Sequence, residues 1–260
     1  MNRNIVYACI PSIATLIPVL APEASGNVIL WNNGGLVTNP GAGFNGADVS
    51  QASSNFSTLG LGAAGTHKVA DDFVVPVGGW NISSITGYAF IAATYTTFPP
   101  SSPITGVSFS IYNGTPGAGG IIVATSTTLL STSWTGFYRT ANGSLADNNA
   151  PIMAATANFG SLNLSAGTYW ASFNFTGSVP GFTTTPSVPP VMNVDTSGNP
   201  VTASGNSRFL VIANTWGTEA NGTPTQGNEF PFVINGNVVP APTPLGLLSI
   251  GILAAVRRKR

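Results

Sequence analysis

The sequence predicts an all-β protein whose central part, residues 27–238, forms a single antiparallel β-sandwich resembling a jelly roll. Apolar and polar residues alternate in runs such as Val107–Tyr112 and Tyr169–Thr176, which is the period of a half-buried strand. Within residues 27–238, no apolar pattern of period 3.6 lasts three helical turns. About nine short strands separated by turn residues are typical of an antiparallel sandwich.

The predicted strands share β-branched and aromatic residues and are bounded by Gly, Pro, Asn or Ser. In chain order they are Val28–Trp31, Val69–Val75, Ile82–Tyr95, Val107–Tyr112, Ile121–Leu130, Ala154–Leu164, Tyr169–Thr176, Phe209–Ala213 and Phe230–Ile234. Turns are predicted at Asn113–Pro116, Ser165–Gly167 and Asn235–Gly236. Five prolines in residues 177–206 disfavour a long strand there, and a loop of that length is expected to be functional or mobile.

Residues 1–26 are typical of a secretory signal peptide. Arg3 supplies a positive start, Ile5–Ala21 is mostly apolar, and Ala24–Gly26 is a small-x-small site that predicts cleavage before Asn27. Cleavage after Ala21 is the alternative. Cys9 is the only cysteine, so the exported chain is expected to have neither a disulfide nor a thiolate metal site.

The central part of the chain has few charges, and most of them are negative. Its charged residues are Lys68, Arg139, Arg208, Asp48, Asp71, Asp72, Asp147, Asp195, Glu219 and Glu229. Three cations cannot form the basic surface that nucleic-acid binding requires, so this function class is excluded. Charged residues make up 6% of the chain, which suits a hydroxyl-rich surface in an envelope or extracellular matrix.

Residues 239–260 have three parts that together are typical of a sorting signal. A proline box, Val239-Pro240-Ala241-Pro242, precedes the uncharged apolar segment Leu245–Val256, and the chain ends in Arg257-Arg258-Lys259-Arg260. As a helix, the apolar segment spans about 18 Å, less than the roughly 30 Å hydrocarbon core of a bilayer. The terminal cations would stay at the cytoplasmic surface. This arrangement fits a substrate that pauses in the membrane for processing; an ordinary tail anchor or a frayed terminus is the alternative.

This tail resembles the PEP-CTERM sorting signal of exported bacterial proteins, with Ala241 at the position where that family usually has Glu. Residues Ala70–Phe73 also resemble a segment in the bodies of such proteins, where they would mark the start of a strand. The resemblance implies a membrane-embedded transpeptidase of the exosortase type as a partner. It also implies a transient association with the inner membrane through residues 245–256.

Acidic residues provide three kinds of candidate site. Asp71 and Asp72 with Asp48 are candidate calcium ligands, as is the segment 195–199, because calcium prefers carboxylate and carbonyl oxygens. His67 is a candidate general base with Asp71 as its acidic neighbour, although a strand with a solvated polar face explains both residues more simply. Glu219 and Glu229 are the candidate acids of a hydrolase.

Tryptophans provide a candidate glycan site. Trp134 lies in a Ser/Thr/Gly-rich stretch, and Trp170 lies on the opposite face of its strand from Tyr169 and Phe173, directed outward or toward a second sheet. An exposed aromatic ring stacks on the apolar face of a sugar, whereas most tryptophans pack in or at the edge of a core.

The sequence therefore predicts an exported, non-enzymatic protein of a bacterial envelope or matrix. The alternative is a carbohydrate-binding module for an exopolysaccharide, and a secreted hydrolase is the weakest alternative.

Overall fold

A computed structural model of the protein describes residues 27–54, 58–194, 196–197, 199–202, 205–211, 215–218 and 228–239. This part of the chain is built of strands with one short 3-10 turn at Phe44–Gly46, so the predicted all-β class is confirmed. The strands are β1 Val28–Asn32, β2 Asp48–Gln51, β3 Leu61–Gly62, β4 Lys68–Val75, β5 Trp80–Ala89, β6 Ile104–Tyr112, β7 Ile122–Ser126, β8 Leu129–Thr140, β9 Pro151–Leu164, β10 Gly167–Gly177, β11 Ser187–Val188, β12 Met192–Val194, β13 Pro200–Thr202, β14 Arg208–Val211, β15 Thr215–Thr218 and β16 Phe232–Val238.

Twelve of these strands form two six-stranded sheets. The first sheet has the order β1-β16-β5-β9-β8-β2, and the second has the order β15-β14-β4-β10-β6-β7. The four remaining strands form the short pairs β11-β3 and β12-β13. Within the described residues, neighbouring strands are antiparallel with one departure, the parallel pairing of β2 with β8.

The main core lies between the two sheets. Phe73 on β4 and Phe173 on β10 come from the second sheet, and Phe232 on β16 comes from the first. The Phe232 ring meets each of the other two edge-to-face at 6.2 Å between centroids. All three side chains are fully buried, and this face-to-face packing is compatible with a β-sandwich.

The second sheet is strongly curled. Trp216 on β15 meets Tyr112 on β6 at 6.2 Å between ring centroids, although β14, β4 and β10 separate these two strands in the hydrogen-bonded order. Gly117 also lies against Trp216, where an added Cβ would come within 2.6 Å of the tryptophan Cβ. Three residues in the middle of β10 on the face away from the core, Trp170, Ser172 and Asn174, are buried as well.

Several predicted boundaries differ from the observed strands. The predicted strand Ile82–Tyr95 ends at Ala89, and Ile121–Leu130 divides between β7 and the start of β8. The turn predicted at Asn235–Gly236 is wrong, because these residues lie inside β16 at a shift in register with β5. An added Cβ at Gly236 would come within 2.1 Å of the Asn81 carbonyl, so the glycine serves close strand approach rather than a turn.

The segment 177–206 carries the short strands β11, β12 and β13 instead of a structureless loop. β11 pairs with β3, and Val188 at its end is fully buried. The backbone N–H of Val191 donates to the Glu229 carbonyl at 2.8 Å. The segment is therefore held against the body of the protein at several points.

The signal peptide and the tail predicted from the sequence lie outside the described residues, apart from Val239. Among the residues described, no helix has the length and hydropathy that crossing a membrane would require.

Candidate functional site

The carboxyl group of Asp71 lies between the two sheets. Side chains alternate along β4, so Asp71 shares its face with Val69 and Phe73, and all three have 0% exposed area. A carboxylate at such a position requires hydrogen-bond partners, because transfer of an unpaired charge from water to the interior is very costly.

Three N–H groups meet the oxygens of Asp71. Its Oδ2 accepts from the Phe230 backbone N–H at 2.6 Å and from Asn33 Nδ2 at 2.9 Å, and its Oδ1 accepts from the Asp72 backbone N–H at 2.9 Å. Asn33 Nδ2 also lies 3.2 Å from Glu229 Oε2 and 2.9 Å from the Phe230 carbonyl. One amide nitrogen thus joins both acids, and Asp71, Glu229 and Asn33 are called the carboxyl cluster below.

The orientation of the Asn33 amide is set by a tryptophan. Trp31 Nε1 donates to Asn33 Oδ1 at 3.1 Å. The indole N–H can only donate, so the amide oxygen must face Trp31 and the amide nitrogen must face the two acids.

The carboxyl cluster holds a proton. The pKa of Asp71 is raised to about 9, mainly by burial and in addition by the charge of Glu229 and its hydrogen bond to Asp71. The N–H groups of Phe230 and Asp72 act in the opposite direction and offset only part of this rise. A hydrogen bond between two carboxyl groups requires a proton on one of them, and the raised pKa of Asp71 makes Asp71 the carboxyl group that holds it.

Backbone and side-chain packing close the cluster. A Cβ added to Gly205 would lie 1.5 Å from Glu229 Oε1, so the chain at Gly205 passes directly beside this carboxyl group. Asn33 follows β1, Phe230 precedes β16, and Asp71 lies on β4. The cluster therefore ties the second sheet to two segments of the first, while Asp71 itself has no surface on which a substrate could bind.

The structure does not bring the three candidate calcium ligands together. Asp48 lies at the start of β2, where its Oδ1 accepts from the Gly41 backbone N–H at 2.7 Å. Asp71 and Asp72 point to opposite faces of β4. Within the described part of the chain, no group of three or more His, Cys, Asp or Glu side chains is placed to hold a metal ion.

The candidate catalytic pairs are separated or fall outside the described residues. The ring of His67 stacks on Phe209 at 6.0 Å between centroids. Glu219 lies outside the described residues, and Glu229 is paired with Asp71. Sequence reasoning missed both this pairing and the role of Asn33, because no local pattern connects residues that lie so far apart along the chain.

Trp134 belongs to a partly exposed aromatic cluster with Phe44, Phe98 and Tyr138. Phe98 is 49% exposed, and its ring meets Trp134 at 5.5 Å and Phe44 at 6.1 Å between centroids. The Trp134 indole N–H donates to the Phe137 carbonyl at 2.9 Å, which holds the half-buried ring in place. Trp170 differs, because it is only 4% exposed and its ring has no open face.

A buried cation lies at a different position. Arg139 on β8 has 0% exposed area, and burial lowers its pKa to about 9. Its Nε donates to the Leu59 carbonyl at 2.7 Å, and Nη1 donates to Ser50 Oγ at 3.1 Å. A cavity of about 430 Å³ lined in part by Leu59 and Asn142 lies beside it.

These features define an all-β protein with a buried carboxyl cluster between its sheets and a partly exposed aromatic cluster. No protein-family model matches the chain. Comparison with curated proteins likewise found no match.

Proposed function

We propose that this chain is an exported, non-enzymatic protein of a bacterial envelope or extracellular matrix, processed at the sorting signal of residues 239–260. A membrane-embedded transpeptidase acts at the proline box, while residues 245–256 hold the chain in the inner membrane and the four basic residues remain inside.

The observation that carries this proposal is the position of β16, the last strand among the described residues. β16 ends at Val238, and the Val239 N–H still donates to the Gly79 carbonyl at 3.0 Å. The proline box follows directly in the sequence. Proline lacks a backbone N–H, so Pro240 and Pro242 oppose extension of the strand pairing beyond this point. A processing enzyme requires such a segment beyond the paired backbone.

The burial of the carboxyl cluster supports a non-enzymatic role. Asp71 has the most strongly raised carboxyl pKa among the described residues, a feature often seen in catalytic acids. Its side chain has 0% exposed area and all its oxygens meet N–H donors of the fold. Its proton therefore serves the packing of the two sheets.

The finer fold we propose is one β-sandwich with jelly-roll-like connections. Successive strands pass between the sheets from β4 to β5, from β5 to β6, from β7 to β8 and from β9 to β10. In addition, β10 lies between β4 and β6, as expected when long connections cross the ends of a sandwich.

The intact mass of the protein recovered outside its native cells tests the processing. We expect a chain that ends near residues 239–243 or carries an added group there. A variant in which Arg257, Arg258, Lys259 and Arg260 are all serine should escape processing, and Lys68→Ser is the control that removes a cation from the body. Recovery of wild-type protein that retains residues 245–260 would contradict the proposal.

Carbohydrate binding is a second candidate function, favoured by the aromatic cluster. Phe98 is about half exposed beside Trp134, and apolar sugar faces stack on aromatic surfaces of this kind. An exopolysaccharide from the same cells is the ligand class that fits an envelope protein.

Glycan-array binding with matched variants tests this second function. Trp134→Ala and Phe98→Ala should each abolish binding, whereas Phe182→Ala, which removes an exposed phenylalanine outside the cluster, should preserve it. Absence of binding by the wild-type protein, or equal binding by all variants, would exclude the aromatic cluster as a glycan site.

A further inference from the structure

β7 is an edge strand of the second sheet. It pairs with β6 on one side, and no other strand in the described part of the chain pairs with its second side. An edge strand presents unpaired N–H and C=O groups in the spacing that a further strand would match.

The side chains of this edge are apolar and exposed. Ile121, just before the strand, is 63% exposed, and Ile122 and Val123 are 52% and 43% exposed. The register with β6 shifts by one residue beside Val123, because Tyr112 faces Ile122 while Ile111 faces Ala124. Three consecutive apolar residues therefore face solvent, where a regular strand would turn every second residue inward.

The free edge continues into the first sheet. β8 begins at Leu129, only two residues after β7 ends, and β2 pairs with β8 only along Phe137–Thr140. The earlier part of β8 thus has one neighbour, β9, and its Leu130 is 54% exposed. One side of the molecule consequently presents unpaired strands from both sheets.

The residues that form this side of the molecule are also uncharged. No Asp, Glu, Lys, Arg or His occurs between Asp72 and Arg139, a stretch that includes all of β7 and the unpaired part of β8. Natural edge strands are usually protected against pairing by charges or proline. β7 contains neither, and among the described residues its short length and its single shift in register are the features that oppose such pairing.

We propose that β7 is a self-association surface at which the β7 strands of two copies of this chain pair antiparallel about a two-fold axis. The second copy is the occupant because an uncharged apolar strand meets itself without the like-charge repulsion that opposes most homotypic strand pairs. Antiparallel pairing satisfies free backbone groups of both copies at once, and a two-fold axis beside Ile122 and Val123 places these side chains of the two copies together.

Sedimentation velocity of the full chain over a wide range of concentrations tests this surface. The wild-type protein should show a reversible monomer–dimer equilibrium. Ile122→Lys should weaken dimerisation by about tenfold or more, and Thr125→Lys should do the same while leaving the apolar residues intact. Both positions are exposed, and thermal unfolding of each variant verifies that the fold is retained.

Two further variants separate this edge from other causes of association. Val77→Lys adds the same charge at a 90% exposed apolar residue between β4 and β5, and it should leave dimerisation unchanged. Ile29→Lys adds it on β1, the exposed edge of the first sheet, and should also have no effect. A wild-type protein that remains monomeric at every concentration would overturn the proposal. Association that survives both β7 variants would also overturn it, and association through residues 245–256 would behave in this way. Association that only Ile29→Lys removes would overturn it as well.

Discussion

Replacing Asp71 by asparagine should remove a pH dependence of stability that the buried carboxyl creates. The folded pKa of Asp71 is about 9, whereas an exposed aspartate in an unfolded chain has a pKa of about 3.9. A carboxyl whose pKa is raised by folding binds its proton more tightly in the folded state. Its contribution to stability is therefore full below the unfolded pKa and is lost as pH rises toward the folded pKa.

The magnitude follows from one proton. Each pH unit between these two pKa values lowers the free energy of unfolding by up to about 1.4 kcal/mol, so the loss from pH 5 to pH 8 is at most about 4 kcal/mol. That is a large fraction of the roughly 5–15 kcal/mol by which domains are stable. Asparagine keeps the shape of the side chain and its acceptor oxygen, and its N–H₂ replaces the shared proton beside Glu229.

The assay is urea unfolding followed by tryptophan fluorescence at a series of pH values. Asp71→Asn should flatten the decline in stability above pH 5. The free energy of unfolding of the variant should therefore increase relative to that of the wild type as pH rises. Asp72→Asn is the matched control, because it removes a half-buried carboxyl from the opposite face of β4 and should leave the decline intact. Equal slopes for the wild type and Asp71→Asn would refute the reasoning, as would loss of the slope in Asp72→Asn alone.

Two further substitutions test the packing around these strands. Gly236→Ala should lower the free energy of unfolding by about 2 kcal/mol or more, because its Cβ would meet the Asn81 carbonyl at 2.1 Å. Gly62→Ala is the control, because a Cβ added at Gly62 meets open space. It should have little effect in the same thermal unfolding assay. Asn33→Ala should lower the free energy of unfolding by about 1–3 kcal/mol in chemical unfolding, because Asp71 and Glu229 both lose a hydrogen-bond donor. An equal decrease for Asn32→Ala, at the exposed neighbouring residue, would contradict this role of Asn33.

The all-β class and most of the strands could be predicted from the sequence because alternation of side chains is a local property. Each residue of Tyr169–Thr176 selects one face of its strand through its own polarity, and the observed β10 spans the same region. β2 and most of β8 escaped prediction, since hydroxyl and small residues there carry little alternation in hydropathy. Gly236 indicated a turn because glycine favours turns and close strand approach alike.

The candidate site depended on tertiary structure. Asp71 and Glu229 are distant along the chain, and nothing near either residue predicts their shared proton or the amide of Asn33 between them. Their contact arises only when β4 of the second sheet packs against the segments after β1 and before β16. The charge distribution and the strand period were determined by the sequence alone, and the two terminal segments remain predictions made from it. Which strands pair, which acids meet and which edge remains open were decided by long-range packing, because these properties depend on partners that local patterns do not encode.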